Sequence, residues 1–155
     1  FKFIIEKKSV VFLQRGILMA RKSLMNDIKL KILESPDNVF MPRDFFYMSD
    51  RDQVGRVFRR LIQSQILVKV GYGVYVKTRK SQYTGKIVPA TDLRSVANEA
   101  LSKLGVNIFP TKAEIAYNNK TSTQVPNGFV IGVDKRICRK LSLGEASIRY
   151  EKVKR

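Results

Sequence analysis

The fold is decided by residues 50–76, which read DRDQVGRVFRRLIQSQILVKVGYGVYV. In the first half of this stretch, apolar side chains recur at spacings of three and four, which predicts a helix with one buried face. These residues are Val54, Val57, Phe58 and Leu61. In the second half, apolar residues alternate on one side of Gly71-Tyr72-Gly73 and return as Val74-Tyr75-Val76 on the other, which predicts two strands joined by a tight turn. We therefore predict a basic amphipathic helix that runs directly into a β-hairpin.

The residues before this stretch supply the other elements of a winged helix-turn-helix. An apolar pattern from Ser23 to about Glu34 predicts a first helix, which Pro36 prevents from continuing. Val39-Phe40 is predicted to be a short strand, and residues 41–46 a helix of one to two turns with a proline near its start. The predicted order is helix, strand, helix, helix, strand, strand, which is the connectivity of a winged helix-turn-helix. The predicted core consists of Ile28, Ile32, Phe45, Phe46, Val54, Val57, Phe58 and Leu61.

The polar side of the 51–63 helix carries the candidate DNA-reading side chains. Arg51, Gln53 and Arg56 lie in its first two turns, where a recognition helix reaches base edges. Arginine can pair with guanine and glutamine with adenine. Candidate contacts to the DNA backbone and from the wing are Ser49, Arg59, Arg60, Lys69, Tyr72, Arg79 and Lys80. The alternative interpretation is a solvated helix face packed on a hairpin.

The charge of the chain favours a polyanionic partner. Lysine and arginine number 30 against 13 acidic residues, which gives a net charge of +17. Each cation placed on a phosphate releases condensed counterions, so nucleic acid is the natural partner. Charge alone does not separate DNA from RNA, a ribosome or an anionic membrane. Residues 19–80 and residues 81–155 each carry +7, so the basic character is not confined to the predicted DNA-binding module.

The composition excludes several kinds of chemistry. The chain has no histidine and a single cysteine, so it lacks the ligand set of a zinc finger, histidine-based catalysis and an internal disulfide. Cys138 is predicted to be a small buried residue and not a nucleophile. Because nucleophiles and carboxylates show no catalytic spacing, and no glycine-rich phosphate loop is present, we predict no enzyme activity and no cofactor.

Three segments are predicted along the chain. Residues 1–18 precede Met19, which looks like an ordinary start, so we expect them to be a translated leader and not a native domain. No apolar run reaches the roughly 18 residues of a membrane span, so no membrane partner is expected. Residues 19–79 are expected to form the winged helix-turn-helix domain, and residues 80–155 a small α+β domain.

The second half has its own pattern. Residues 77–90 are polar and basic, which predicts a linker or a strand-flanked loop. A capped helix follows and ends at Gly105, and a short strand, a short helix and a buried strand at 129–133 come next. Two alternating segments around Gly144-Glu145 predict a hairpin. The predicted fold class of the whole chain is therefore α+β.

Several short phrases stand in a fixed order along the chain. They are Arg43-Asp44-Phe45, VGRVFRRL at 54–61, GYGVY at 71–75, Phe109-Pro110-Thr111, AEIA at 113–116, STQVP at 122–126 and VIGV at 130–133. Together they resemble the AbiE-type abortive-infection antitoxins and related winged-helix transcriptional regulators, over roughly residues 23–151. The resemblance implies a bacterial, cytoplasmic and nucleoid-associated repressor that binds an inverted-repeat operator in double-stranded DNA at its own promoter.

The same resemblance implies a type IV antitoxin, which opposes a nucleotidyltransferase toxin without forming a stable complex with it. Two alternatives stay open at the level of sequence. One is a basic RNA- or ribosome-associated protein. The other is a protein-interaction antitoxin module in which DNA binding is secondary.

Overall fold

The first half follows the predicted order of elements. The structure is a computed structural model that describes residues 23–154, so the predicted leader at residues 1–18 lies outside the described residues. The elements are α1 (Leu24–Glu34), β1 (Val39–Phe40), a 3₁₀ helix (Pro42–Phe45), α2 (Arg51–Gln63), β2 (Leu67–Gly71) and β3 (Val74–Lys80). Ser23 caps α1, because its hydroxyl accepts a hydrogen bond from the backbone N–H of Asn26. Asp50 stands just before α2, where a short acidic residue commonly caps a helix, but its side chain makes no capping hydrogen bond.

The first sheet is antiparallel, and β3 lies at its centre in the order β1-β3-β2. Val76 of β3 is the register partner of Val39 on one side and of Val68 on the other. A further strand, β4 (Ile87–Pro89), pairs with the far end of β3. Of the two alternatives predicted for residues 77–90, a linker or a strand-flanked loop, the structure therefore shows the loop. Arg79 and Lys80 lie on β3.

The second half contains the predicted short elements. They are α3 (Leu93–Lys103), β5 (Ile108–Phe109), α4 (Lys112–Asn118), β6 (Val130–Val133), β7 (Ser142–Leu143), β8 (Ala146–Ser147) and β9 (Arg149–Lys152). Gly105, at φ +70°, follows the end of α3, as a left-handed residue after a helix commonly does. The β7–β8 hairpin turns at Gly144-Glu145 as predicted. Strand β9 pairs in parallel with β6, a pairing that the sequence pattern did not predict. The predicted α+β class is confirmed.

Two apolar clusters hold these elements together. The first lies among α1, the 3₁₀ helix and α2, and contains Ile28, Ile32, Phe40, Phe45, Val54, Val57, Phe58, Leu61 and Leu67. The second combines Val39, Val70, Val74 and Val76 of the first sheet with residues of the second half, including Leu101, Ile131 and Leu141. This second cluster crosses the boundary predicted near Arg79, so the two halves share a core.

Two predictions about burial are wrong. Phe46 was placed in the core but is 41% exposed. The 3₁₀ helix turns about 120° per residue, so of the adjacent pair only Phe45 faces inward. Cys138 is exposed and not buried. It lies in the irregular segment between β6 and β7, where its neighbour Ile137 packs against the second core instead.

Within residues 23–154, no helix combines the length and apolar character that crossing a membrane requires.

Candidate nucleic-acid interface

Helix α2 presents a basic face to solvent. Val54, Val57, Phe58 and Leu61 are buried beneath it, as predicted. Its exposed residues are Arg51, Asp52, Gln53, Arg56, Arg59, Arg60 and Gln63, and Asp52 in the first turn is the one acidic side chain among them. The helix therefore places its guanidinium and amide groups outward and its apolar groups in the first core.

The exposed arc of α2 has two sides. At about 100° per residue, Arg51, Gly55 and Arg59 follow one another on one side, and Gln53, Arg56 and Arg60 lie together on the other. The first side faces the β2–β3 hairpin, because Arg51 and Gly55 line a groove with Lys69 and Tyr72. The structure thus brings Gln53 and Arg56 together and turns Arg51 away from them.

In the described part of the chain, the cations of this face form no ion pair, although Asp52 is exposed on the same helix. The ion pairs found within residues 23–154 involve Arg43, Arg94 and Lys103 as the basic partners. Arg51, Arg56, Arg60 and Lys69 take part in none of them. Arg59 donates a weak hydrogen bond from Nε to the Gly55 carbonyl oxygen at 3.4 Å. Most of these charges are therefore available to an external anion.

A groove of about 320 Å³ lies between α2, the 3₁₀ helix and the hairpin. Among the described residues, its lining contains four cationic side chains (Arg43, Arg51, Lys69 and Arg139), three aromatic ones (Phe46, Tyr72 and Tyr75) and no acidic one. Met41, Pro42, Gly55 and Gly73 complete the walls. The ring of Tyr75 meets the buried Phe58 ring edge-on at 4.9 Å between centroids, and burial raises the pKa of Tyr75. One aromatic wall of the groove is thus anchored in the first core.

Arg139, a residue that sequence reasoning missed, reaches this groove from the second half of the chain. Its guanidinium carbon lies 5.9 Å from the centroid of the Tyr72 ring, within the range of a cation–π contact. The preceding and following residues do contain a signal, since Lys135, Arg136 and Lys140 make the segment strongly basic. Only the fold shows that this segment lies against the hairpin.

The segment that carries Arg139 is fixed at several points. The Tyr150 hydroxyl donates a hydrogen bond to the Arg139 carbonyl oxygen at 3.0 Å, and burial raises the pKa of Tyr150 to about 12. Leu141 forms an antiparallel bridge with Gly71 at the end of β2. A Cβ atom at Gly71 would lie 2.6 Å from the Lys140 carbonyl oxygen, so the close approach requires glycine. The hairpin and the second half are therefore joined directly.

The remaining predicted contact residues are spread more widely. Tyr72 is 75% exposed at the hairpin turn, and Lys69 is exposed on β2. Ser49 is half-buried just before α2. Arg79 and Lys80 are exposed, but they end β3 and lie about 20 Å along the strand from the turn, at roughly 3.3 Å per residue. These two cations therefore belong to a different part of the surface from the groove.

No cluster of three or more cysteine, aspartate or glutamate side chains suited to a metal ion is present in the described part of the chain.

The chain belongs to the family of unknown function DUF6088, whose family model matches residues 27–155. No curated protein and no solved structure matches the chain. Since the family description carries no activity, the resemblance to AbiE-type antitoxins stays a prediction.

Proposed function

We propose that this protein is a sequence-specific, double-stranded DNA-binding transcriptional regulator whose DNA-binding unit is a winged helix-turn-helix. The observation that carries the proposal is the exposed face of α2, where Arg51, Arg56 and Arg60 have no acidic partner within residues 23–154. An aromatic hairpin turn stands beside that face. A cationic helix face next to a hairpin suits the major groove and the adjoining backbone of duplex DNA.

The order of elements supports this proposal. In it, the 3₁₀ helix, the turn at residues 46–50 and α2 form the helix-turn-helix, and the β2–β3 hairpin is the wing. The hairpin packs against α2, since the Phe58 ring contacts the Tyr75 ring and Leu61 shares a core with Leu67. The first core supports α2 from below through Phe58 and Leu61, which keeps the helix in a fixed position for reading a groove.

The two sides of α2 take different roles in the proposal. Gln53 and Arg56 meet base edges, since they lie together on the side away from the hairpin and have side chains that can pair with adenine and guanine. Arg60 lies on the same side of α2 and contacts a phosphate. Arg51 faces the groove, so in the proposal it contacts the DNA backbone. The sequence alone predicted that it would contact a base.

We also propose the antitoxin role that the resemblance implies. In this setting the protein represses its own promoter at an inverted repeat and opposes a nucleotidyltransferase toxin without a stable complex. A nucleotidyltransferase gene immediately downstream, whose toxicity is relieved by co-expression of this chain, supports that role. If such a neighbour were expressed and its toxicity were unchanged, the antitoxin role would fail while the regulator proposal stood.

Selection from a randomised duplex pool tests the proposed function. Purified full-length protein is incubated with the pool, and the enriched duplex is compared with a scrambled duplex of the same composition at one salt concentration. We expect the enriched duplex to bind about 1,000-fold tighter or more, the lower end of typical specific recognition. If no sequence is enriched, or if structured RNA outcompetes the enriched duplex at matched salt, the proposal is wrong.

A further inference from the structure

We propose that the groove between α2 and the hairpin holds one phosphodiester strand of the DNA duplex, and that Arg139 is one of its phosphate ligands. The second half of the chain would then contribute directly to DNA binding. This inference rests on the proposed function, because it names the part of the duplex that the groove receives.

The charge of the groove is the first argument. Arg51, Lys69 and Arg139 converge on one concave surface, to which residues 23–154 contribute no carboxylate. Like charges brought together in this way repel one another, so an anionic ligand accounts for the arrangement. Arg43 is the exception, since its Nη2 donates to the Lys103 carbonyl oxygen at 2.7 Å and its Nε lies 3.9 Å from Asp44 Oδ1.

The shape and the remaining side chains narrow the class of ligand. The groove is open along the protein surface and lies between α2, the element proposed to enter the major groove, and the proposed wing. In such a geometry a backbone strand passes between helix and wing. Arginine fits phosphate with a two-pronged donor set, and a tyrosine hydroxyl also donates to phosphate or sugar oxygens. Tyr72 and Arg139 both line the groove and lie next to each other.

The backbone of Arg139 is anchored in the unbound protein, and its guanidinium lies near the Tyr72 ring. Its carbonyl oxygen accepts the hydrogen bond from Tyr150, the following residues pack on Gly71, and its guanidinium lies over the Tyr72 ring. A side chain held in this way loses less conformational freedom on binding than a free surface arginine. Arg136, three residues earlier, is exposed and does not line the groove.

The test measures how duplex affinity depends on salt, for the full-length protein and three variants. Each phosphate contact contributes a slope of about −0.9 in log K against log salt. We expect Arg139→Ala to make the slope less negative by about 0.9, the contribution of one phosphate contact. It should weaken binding to the enriched and the scrambled duplex alike. Arg136→Ala is the matched control and should leave the slope unchanged. Arg139→Lys keeps the charge and should restore most of the slope.

The outcomes separate this inference from the proposed function. If Arg139→Ala and Arg136→Ala change the slope equally while the enriched duplex is still preferred, the inference fails alone. If Arg139→Lys flattens the slope as much as Arg139→Ala does, a positive charge at this position does not neutralise a phosphate and the inference fails. Equally, binding of AMP that Arg139→Ala abolishes would make the groove a nucleotide pocket and overturn the inference. If Arg139→Ala flattens the slope but no sequence is preferred, the phosphate site stands and the proposed sequence-specific function fails.

Discussion

Replacing Gly71 with alanine tests the junction between the hairpin and the second half. A Cβ atom at this position would lie 2.6 Å from the Lys140 carbonyl oxygen and 2.7 Å from Leu141 Cδ2. Ordinary contacts of this kind are longer than 3.4 Å, so about 0.8 Å of movement is needed. The leucine methyl could rotate, but the carbonyl is part of the backbone next to the Gly71–Leu141 bridge, so relief of this contact requires the backbone of residues 139–141 to shift.

The expected effect of Gly71→Ala is a loss of about 1–3 kcal/mol in the free energy of unfolding, the usual range for overpacking. The φ angle of Gly71 is not positive, so the loss arises from the contact and not from backbone strain. Urea unfolding measures it, and the melting temperature should fall by about 2–4 °C for each kcal/mol. Because displacement of residues 139–141 also moves Arg139, the salt slope of duplex binding should flatten as it does in Arg139→Ala.

Gly128→Ala is the control for this experiment. Nothing lies within 4 Å of a Cβ atom at Gly128, and its φ angle is not positive either. We expect its stability to stay within about 0.5 kcal/mol of the wild type, as at other unconstrained surface positions. If Gly71→Ala is as stable as Gly128→Ala, the close packing of the hairpin against residues 139–141 is refuted, and with it the reason for the position of Arg139.

Two further predictions concern α2 and the tyrosine behind Arg139. Gly55→Ala should raise the free energy of unfolding by about 1 kcal/mol, because alanine is the better helix former and its Cβ would meet only Arg59 Nη2, at 3.9 Å. The same methyl group enters the groove, so duplex binding should weaken while stability rises; unchanged binding would count against a backbone strand in the groove. The pKa of Tyr150 is raised from 10.0 to about 12 in the folded protein, so the unfolded chain releases this proton first as the pH rises. The free energy of unfolding of the wild type should therefore fall from about pH 10 toward pH 12. Tyr150→Phe should lack the part of this fall that comes from ionisation of Tyr150 in the unfolded chain. Urea unfolding of both proteins between about pH 8 and 11 checks this, and parallel curves would contradict it.

Local patterns in the sequence were enough to predict the elements around α2. The three- and four-residue spacing of Val54, Val57, Phe58 and Leu61 fixes both the helix and its buried face, and Gly71-Tyr72-Gly73 fixes the hairpin turn. The same periodicity also separates Arg51 from Gln53 and Arg56, since these residues differ by more than a third of a turn. The base contacts predicted for all three residues remain a prediction, and the angular difference is the reason for the separate role proposed for Arg51.

Long-range placement could not be read from the sequence. The bridge between Gly71 and Leu141 joins residues 70 positions apart, and no local pattern of either segment indicates the other. The parallel pairing of β9 with β6 could not be predicted for the same reason, since neither segment's local pattern indicates the other. Phe45 and Phe46 show that even short-range burial can escape sequence analysis. The sequence does not indicate which of the two adjacent aromatic residues is buried, because that depends on the geometry of the 3₁₀ helix.

Arg56→Ala, measured on the enriched and the scrambled duplex, tests most directly the central claim that α2 reads bases. We expect this variant to lose about 1–3 kcal/mol of binding free energy on the enriched duplex and little on the scrambled one. Lys69→Ala, which removes a phosphate contact in the proposal, should weaken both duplexes alike and flatten the salt slope by about one. Equal losses from Arg56→Ala on the two duplexes would contradict base reading by this helix.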